Sequence, residues 1–591
     1  MREESLLNRF NRWRISHITD RQFILILSII TGFLAGMAAV VIKNSVHFIE
    51  QMLTGWFTED YFNFMYIFYP AMGILLVMIF IKFILRKPIG DGVPNVLYAI
   101  SKSSGLMKPH NLFSSVISSS ITVGFGGSVG LEGPTLATGA AIGSNIGRVL
   151  GLNYRQVVSL LGFASAGAMA AIFKAPITAI VFALEVIMLD LTMAAIVPLL
   201  MASVTAALTS YFFLGQNVLY PFEITSTFNL NNIPYYIVLG IITAAASLYF
   251  IRTIDFAGKQ FARIKSWVVR FLIGATILGL LVFLFPALYG EGYSSINSAL
   301  EGDFNYIFDR SLFFGFRGNV LVTLLLLLVI SLMKVVATSA TFGSGGIGGI
   351  FAPTLFTGGH LGLLFALTVN HFNLGNIPVS NFALVGMAGM IAGVIHGPLT
   401  AIFLIAEITG GYGLILPLMI VATISYALVK IFEPDSVYTI QLSKRIDIIT
   451  HNKDKAVLSL LKIDSLIETN FKTISPDASL GDLVKVIEDS TRNIFPVVDK
   501  NDNFLGLVFL DRVRHIMFQP DMYNKVFVKN LMFMPTTIVQ INDKMEDVAH
   551  KFQHSGKFNL VVLENGKYRG FVSRANVFSK YRDLLREFSE H

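Results

Sequence analysis

The chain has 591 residues, of which 54% are apolar and 14% charged, with no cysteine and a formal net charge of +7. An ordinary soluble protein carries about 25% charge, so lipid is the solvent for part of this one, and a mean hydropathy of +0.65 agrees. Disorder, collagen and a disulfide-stapled secreted scaffold are excluded, as are thiol catalysis and thiolate metal sites, and the mild positive charge does not require nucleic acid.

Along the chain the charge deficit is uneven. The first segment, MREESLLNRFNRWRISHITDRQF, is Arg-rich and lacks a cleavable signal pattern, which places it in the cytosol. No Asp, Glu, Lys or Arg occurs in Gln22–Ile42, Leu191–Phe222, Val335–Ala406 or Ile408–Val429. A helix needs about 20 apolar residues to cross a bilayer, so each stretch can hold one or more spans. Met65–Ile81, Tyr235–Ile251, Trp267–Phe285 and Asn319–Met333 are further candidates. The basic turn Lys82, Arg86, Lys87 falls after two crossings, in keeping with a cytosolic start. Within Val335–Ala406 the helix pattern is broken at GSGGIGGIFAPTLFTGGHLG and at HGPLT. Such breaks survive at membrane depth only when buried in protein or lining a cavity, which favours a transporter or channel. From about Ser443 charge returns, with short β-rich runs between amphipathic helices, so this tail is soluble.

Two internal repeats organise the chain. Gly130–Gly139 (GLEGPTLATG) recurs as Gly349–Gly358 (GIFAPTLFTG). Ala175–Val186 (APITAIVFALEV) recurs, at nearly the same offset, as Gly397–Ile408 (GPLTAIFLIAEI). Duplicated halves with interrupted helices are characteristic of transporters, whose site lies where the halves meet. Inverted halves are the expected arrangement, although the repeats alone do not give their orientation. In the tail, Ile494–Val508 matches Phe558–Val572, giving two small helix–strand–strand–helix modules.

Three segments share one design, glycines and then proline ahead of an apolar helical run: Gly90–Pro94, Gly130–Pro134 and Gly349–Pro353. Proline suits the first helical turn. A helix start offers free N–H donors and partial positive charge, and so binds anions. Three starts converging at the midplane would cradle a dehydrated halide without a full charge, letting it leave again. A simple capped kink is the plain alternative for any one break; the shared pattern favours the anion reading for the set. Glu132, between Gly130 and Pro134, can occupy the anion's place when ionised and withdraw when protonated. An acidic group at membrane depth is functional by default. Glu185 and Glu407 occupy equivalent repeat positions and are read as partners for backbone N–H groups. Lys174 is expected to pair with a carboxylate or face water. His360 and His396 read as core histidines, with no metal implied.

On these motifs the chain resembles the CLC family of chloride channels and chloride/proton exchangers, over nearly its whole length, and the tail resembles paired CBS domains. The expected fold is a mainly α polytopic membrane protein of two duplicated halves with broken helices, plus an α+β cytosolic CBS pair. Residues 1–21 form a cytosolic segment, 22–442 the transmembrane domain, 443–466 a linker, 467–520 the first CBS module and 528–585 the second. The resemblance implies that Glu132 is the gate. Asp91, Gly92, Gly133, Ile350, Phe351 and Tyr438 would surround the anion, the Ile350 and Phe351 amides facing it and the Tyr438 hydroxyl closing the inner end. It also implies a homodimer with one pore per subunit in a cell membrane, of the bacterial inner-membrane kind, with both termini cytosolic.

Three departures stand out. Asp91 replaces the serine that ligates chloride. A carboxylate about 4 Å from the anion costs on the order of 4 kcal/mol at an effective dielectric near 20, so Asp91 must be protonated, turned away or part of an altered site. Leu131 replaces the arginine beside the gate. Val186 stands where exchangers carry the inner proton-relay glutamate. The Glu–Val pair is typical of the family's channels, so passive anion conduction is the expectation and proton-coupled exchange the alternative. In the tail, the nucleotide pattern is incomplete at Asp511, Ser573 and Asn576. A structural, dimerising tail is preferred there, with adenine nucleotide binding the alternative. No cofactor is required for transport. A membrane-anchored nucleotide sensor is a rival of another class, against which the three anion-cradling breaks argue. A magnesium pathway would need oxygen ligands, and Val335–Ala406 has no acidic residue. No catalytic motif marks the chain as an enzyme.

Overall fold

The computed structural model describes residues 14, 16–54, 65–90, 92–103, 105–187, 193–215, 228–309, 311–443 and 461–589. Asp91 therefore lies outside the described residues, as does most of the expected linker. The chain divides into two compact units, Met1–Asp447 and Ile448–His591.

Among its described residues the first unit is built of helices. In its first half run α1 (Asp20–Thr54), α2 (Met65–Ile79), α3 (Gly92–Lys102), α4 (Asn111–Gly124), α5 (Glu132–Val149), α6 (Tyr154–Phe173), α7 (Pro176–Glu185) and α8 (Met193–Leu214). The second half comprises α9 (Ile233–Arg263), α10 (Trp267–Leu284), α11 (Tyr293–Leu300), α12 (Val320–Ser344), α13 (Phe351–His371), α14 (Val379–Ile395), α15 (Pro398–Ile408), α16 (Ile415–Phe432) and α17 (Val437–Ser443). Among the described residues nine helical segments are long and apolar enough to cross a membrane. At 1.5 Å per residue the 35 residues of α1 span about 52 Å, well beyond the ~30 Å hydrocarbon core. Conversely α7 and α15, of 10 and 11 residues, reach only about half way across.

The duplication extends to the backbone. Gly126 and Gly345, equivalent in the repeat, both take positive φ (92° and 107°), and so do the equivalent Lys174 and His396 (58° and 61°). Each of the latter pair ends a helix, α6 or α14, immediately before the proline-started α7 or α15. A non-glycine residue in this region is uncommon, and its occurrence at matched positions shows that one supersecondary unit was copied.

In the second unit a four-stranded sheet has the order β1 (Ile467–Glu468), β6 (Lys567–Ser573), β5 (Asn559–Glu564), β4 (Ile538–Gln540), and β2 (Ile494–Val498) pairs with β3 (Phe504–Phe509). The parallel pairing of Ile538 with Val561 has its counterpart in the first module, where Ile474 bridges to Val497. β1 belongs to the sheet of the second module, Ile467 lying opposite Val572. Buried Phe471, Phe504, Leu507, Val561, Leu563 and Phe571 form a core shared by the two modules. A capping box of Ser479 and Asp482 opens the helix Leu480–Glu488. There the Ser479 hydroxyl and N–H hold the Asp482 carboxyl below its ordinary value.

Candidate functional site

The two glycine-rich loops that precede α5 and α13 meet face to face. Gly130 N–H donates to Gly349 O at 2.8 Å, and Gly349 N–H donates back to Gly130 O at 2.7 Å. Around this bridge a further pair of contacts is mirrored. Ile347 N–H donates to Thr122 Oγ1 at 3.1 Å, and Ser128 N–H donates to Thr341 Oγ1 at 3.2 Å. Thr122 and Thr341 are equivalent positions of the repeat, as are Ser128 and Ile347. Reciprocal contacts between equivalent residues are the mark of a two-fold relation, so the halves are joined about a local two-fold axis through the glycine bridge.

The third break joins them there. A Cβ at Gly92 would stand 2.6 Å from the Gly133 carbonyl carbon, and one at Gly133 would stand 3.3 Å from Gly349 Cα. Three backbones thus touch where side chains would otherwise keep them apart. The starts of α3, α5 and α13 share one point, each with first-turn N–H groups that have no intrahelical acceptor. A cavity of about 530 Å³ opens from this point, lined by Gly92, Gly133, Gly349, Ile350 and Tyr438. Asp255, Lys259 and Arg270 add charge to its lining, and Lys259 Nζ pairs with Asp255 at 2.6 Å.

Of the residues singled out in the sequence, Gly92, Gly133, Ile350 and Tyr438 are therefore brought together, Tyr438 being only 5% exposed. The Phe351 ring packs against Phe173 and Phe182, at centroid distances of 5.1 and 6.4 Å, and Phe351 is not among the residues that line the cavity. Glu132 opens α5 and is 2% exposed. The Tyr293 hydroxyl donates to its Oε1. Its Oε2 folds back over Gly130, where a Cβ would stand 2.0 Å from that oxygen.

Val186, at the end of α7, is buried and apolar. The neighbouring Glu185 and Glu407 are structural. Glu185 accepts the Leu399 and Thr400 N–H groups at 3.1 and 2.8 Å and the Thr400 hydroxyl at 2.7 Å. Glu407 accepts the Ile177 and Thr178 N–H groups at 3.0 and 2.6 Å and the Thr178 hydroxyl at 2.5 Å. Each carboxylate thus caps the half-length helix of the other repeat, supplying the acceptor that a helix start inside a membrane needs.

Lys174, expected to pair with a carboxylate or face water, is partly exposed. Its Nζ donates to the Gly215 and Leu214 carbonyls, at 2.9 and 3.4 Å, at the end of α8. A helix C-terminus carries partial negative charge, and this satisfies the cation. His360 is the core histidine expected, its ring between the Tyr306 hydroxyl at 2.8 Å and the Phe356 carbonyl at 2.9 Å. Among the described residues no cluster of His, Asp or Glu could hold a metal.

In the tail, Ser573 Oγ donates to Glu468 at 2.5 Å and accepts the Asn576 N–H at 3.2 Å. Glu468 in turn takes the Arg492 guanidinium at 2.8 Å. Asp511 is exposed and pairs with Arg514 at 2.9 Å.

Sequence reading missed Tyr293, although the signal GEGY lay between two spans. Gly290 and Gly292 both take positive φ, 59° and 89°, which marks the loop as a built feature rather than a linker.

The profile of the voltage-gated chloride channel family matches residues 72–430, and that of the CBS domain matches 463–518 and 528–583. A ClcB-like relative from Ralstonia nicotianae, provisionally named a chloride channel protein, is 30% identical over 64% of this chain and 85% of its own length. The H(+)/Cl(−) exchange transporter ClcA of Vibrio cholerae is 28% identical over 67% of this chain and 84% of its own. A slow cyanobacterial Cl−/H+ antiporter superposes with a TM-score of 0.62 at 21% identity, covering 72% of this chain and 98% of the other. A eukaryotic CLC transporter gives 0.59 at 18% identity, covering 97% and 99%. These structural likenesses speak for the fold. With its duplicated glycine-started helices joined at one point, this multi-pass membrane protein belongs to the voltage-gated chloride channel (CLC) family of anion transporters and carries a pair of CBS domains.

Proposed function

We propose that the chain exchanges chloride for protons, with Glu132 as the group that both ions share. The observation that carries this reading is the Glu132 carboxylate, buried where three helix starts converge. Ionised, it takes the place of an anion on those N–H donors; protonated, it gives that place up. One group thereby ties the entry of an anion into that place to the uptake of a proton, and the anion's exit to the proton's release. Relatives named H(+)/Cl(−) exchange transporters support exchange over the passive conduction that Val186 suggests. Gly92, Gly133, Ile350, Phe351 and Tyr438 line the inner half of the anion path in this reading, and family resemblance adds Asp91 to them. Homodimerisation, a cell-membrane location with cytosolic termini, and a structural role for the CBS pair complete the proposal; these rest on family resemblance and on the sequence.

Reconstitution into liposomes under a chloride gradient, with pH recorded alongside chloride, tests it. Chloride moving down its gradient should carry protons uphill in fixed proportion. Glu132→Gln should keep chloride flux, abolish proton movement and remove the dependence of flux on pH. Chloride flux with no proton movement in the unmodified protein would return the reading to a channel.

A further inference from the structure

Beside the gate lies a second carboxylate that the transport path described above does not use. Glu291 sits between Gly290 and Gly292 in the loop joining α10 to α11. Its Oε1 accepts the N–H of Leu131, the residue next to Glu132, at 3.1 Å. Two residues further on, Tyr293 donates to Glu132 itself. The loop is pinned from α12: Lys334, 0% exposed, donates from Nζ to Gly290 O at 2.8 Å and to Leu288 O at 3.4 Å, and lies over the Phe356 ring at 4.8 Å. The charged groups facing Glu291 come from three helices: Lys43 and Glu50 on α1, Glu132 on α5 and Lys334 on α12. Lys43 also interacts electrostatically with Glu132. Leu131 leaves the position beside the gate without charge, whereas Lys43 on α1 interacts electrostatically with both carboxylates.

We infer that Glu291 is a proton-relay carboxylate that loads and unloads Glu132, with Lys43 as the cation that stabilises whichever of the two is ionised. The proton leaves the Glu291 carboxylic acid and arrives on the Glu132 carboxylate through an intervening water or hydroxyl. Glu291 ends ionised and Glu132 neutral, and the charge of the pair is unchanged. Glu291 is half-buried whereas Glu132 is sealed, so Glu291 is the member that meets solvent. Lys334 sets the position of the loop and does not carry the proton. The inference rests on the exchange reading, because a passive pore needs no proton relay.

The test uses the full chain in liposomes, with chloride and proton flux measured together over a series of symmetric pH values. Glu291→Gln keeps an oxygen to accept the Leu131 N–H but cannot carry a proton. Loss of a proton-transfer group should slow coupled exchange roughly 100-fold or more near pH 7. As pH is lowered towards the ordinary carboxylate range, about 4–5, bulk acid loads Glu132 directly and the deficit should shrink to within about twofold. Glu291→Asp keeps a carboxylate and should recover most of the rate. A Gln variant as fast as the unmodified protein at neutral pH would overturn the relay. So would Gln and Asp variants equally slow at every pH, which is the signature of position alone. If the unmodified protein moves chloride without protons, the exchange reading fails and this inference with it; a coupled parent with an indifferent Gln variant sinks the relay only.

Discussion

At Gly130 a methyl group would stand 2.0 Å from Glu132 Oε2 and 3.0 Å from the Ala352 methyl. The side-chain oxygen is the movable partner, so the substitution need not break the glycine bridge. Gly130→Ala should push the carboxylate out of its buried seat and shift the pH dependence of anion flux towards that of Glu132→Gln. Flux measured across a pH series checks this, and an unaltered profile would mean the carboxylate has another seat. Glu132 was legible in the sequence because an acidic residue between glycine and proline at a helix start, in apolar surroundings, has few structural uses. Tyr293 and Glu291 were not, since their partners lie 161 and 160 positions away and no local pattern encodes such a contact.

Among the helices, the half-length pair α7 and α15 sets the sharpest constraint. Their starts are closed by Glu407 and Glu185, each donated by the opposite repeat. Glu185→Ala strips acceptors from the Leu399 and Thr400 N–H groups and should cost about 1–2 kcal/mol, as loss of a cap does. Thermal unfolding in detergent should show a lower midpoint, while halide selectivity stays as in the parent; a selectivity change would place Glu185 on the ion path instead. The matched positions of the two acids were visible in the repeat. That each caps the other's helix was not, because it depends on how the halves are docked. Lys174 teaches the same lesson from the other side: a lone cation in an apolar stretch suggested a carboxylate or water, and the partly exposed side chain also donates to the carbonyl groups that end α8, which the linear pattern did not indicate.

For the whole molecule, the division into Met1–Asp447 and Ile448–His591 follows the change of solvent that composition announces. Within the second unit the Ser573 hydroxyl is committed to Glu468, and Glu468 to Arg492, which leaves the partial nucleotide pattern without a free hydroxyl and with a carboxylate beside it. Calorimetry on the full-length protein with ATP, ADP and AMP should therefore give no saturable heat at millimolar ligand. A saturable signal would show that the Glu468–Arg492 pair opens to admit a nucleotide.

Charge starvation, the two internal repeats, the glycine–proline breaks and the family they resemble were all present in the linear chain, because each is a property of composition or of local spacing. The preference for passive conduction came from the same level, from Val186 alone, and the exchange transporters among the relatives weigh against it. Only the tertiary structure decided that equivalent loops pair about a two-fold axis, that Gly92, Gly133 and Gly349 meet at one point, and that the Glu291 loop, pinned by Lys334, reaches Leu131 and Glu132. Those arrangements join groups far apart in the chain. The free energy that holds them comes from docking two copied halves rather than from any one segment.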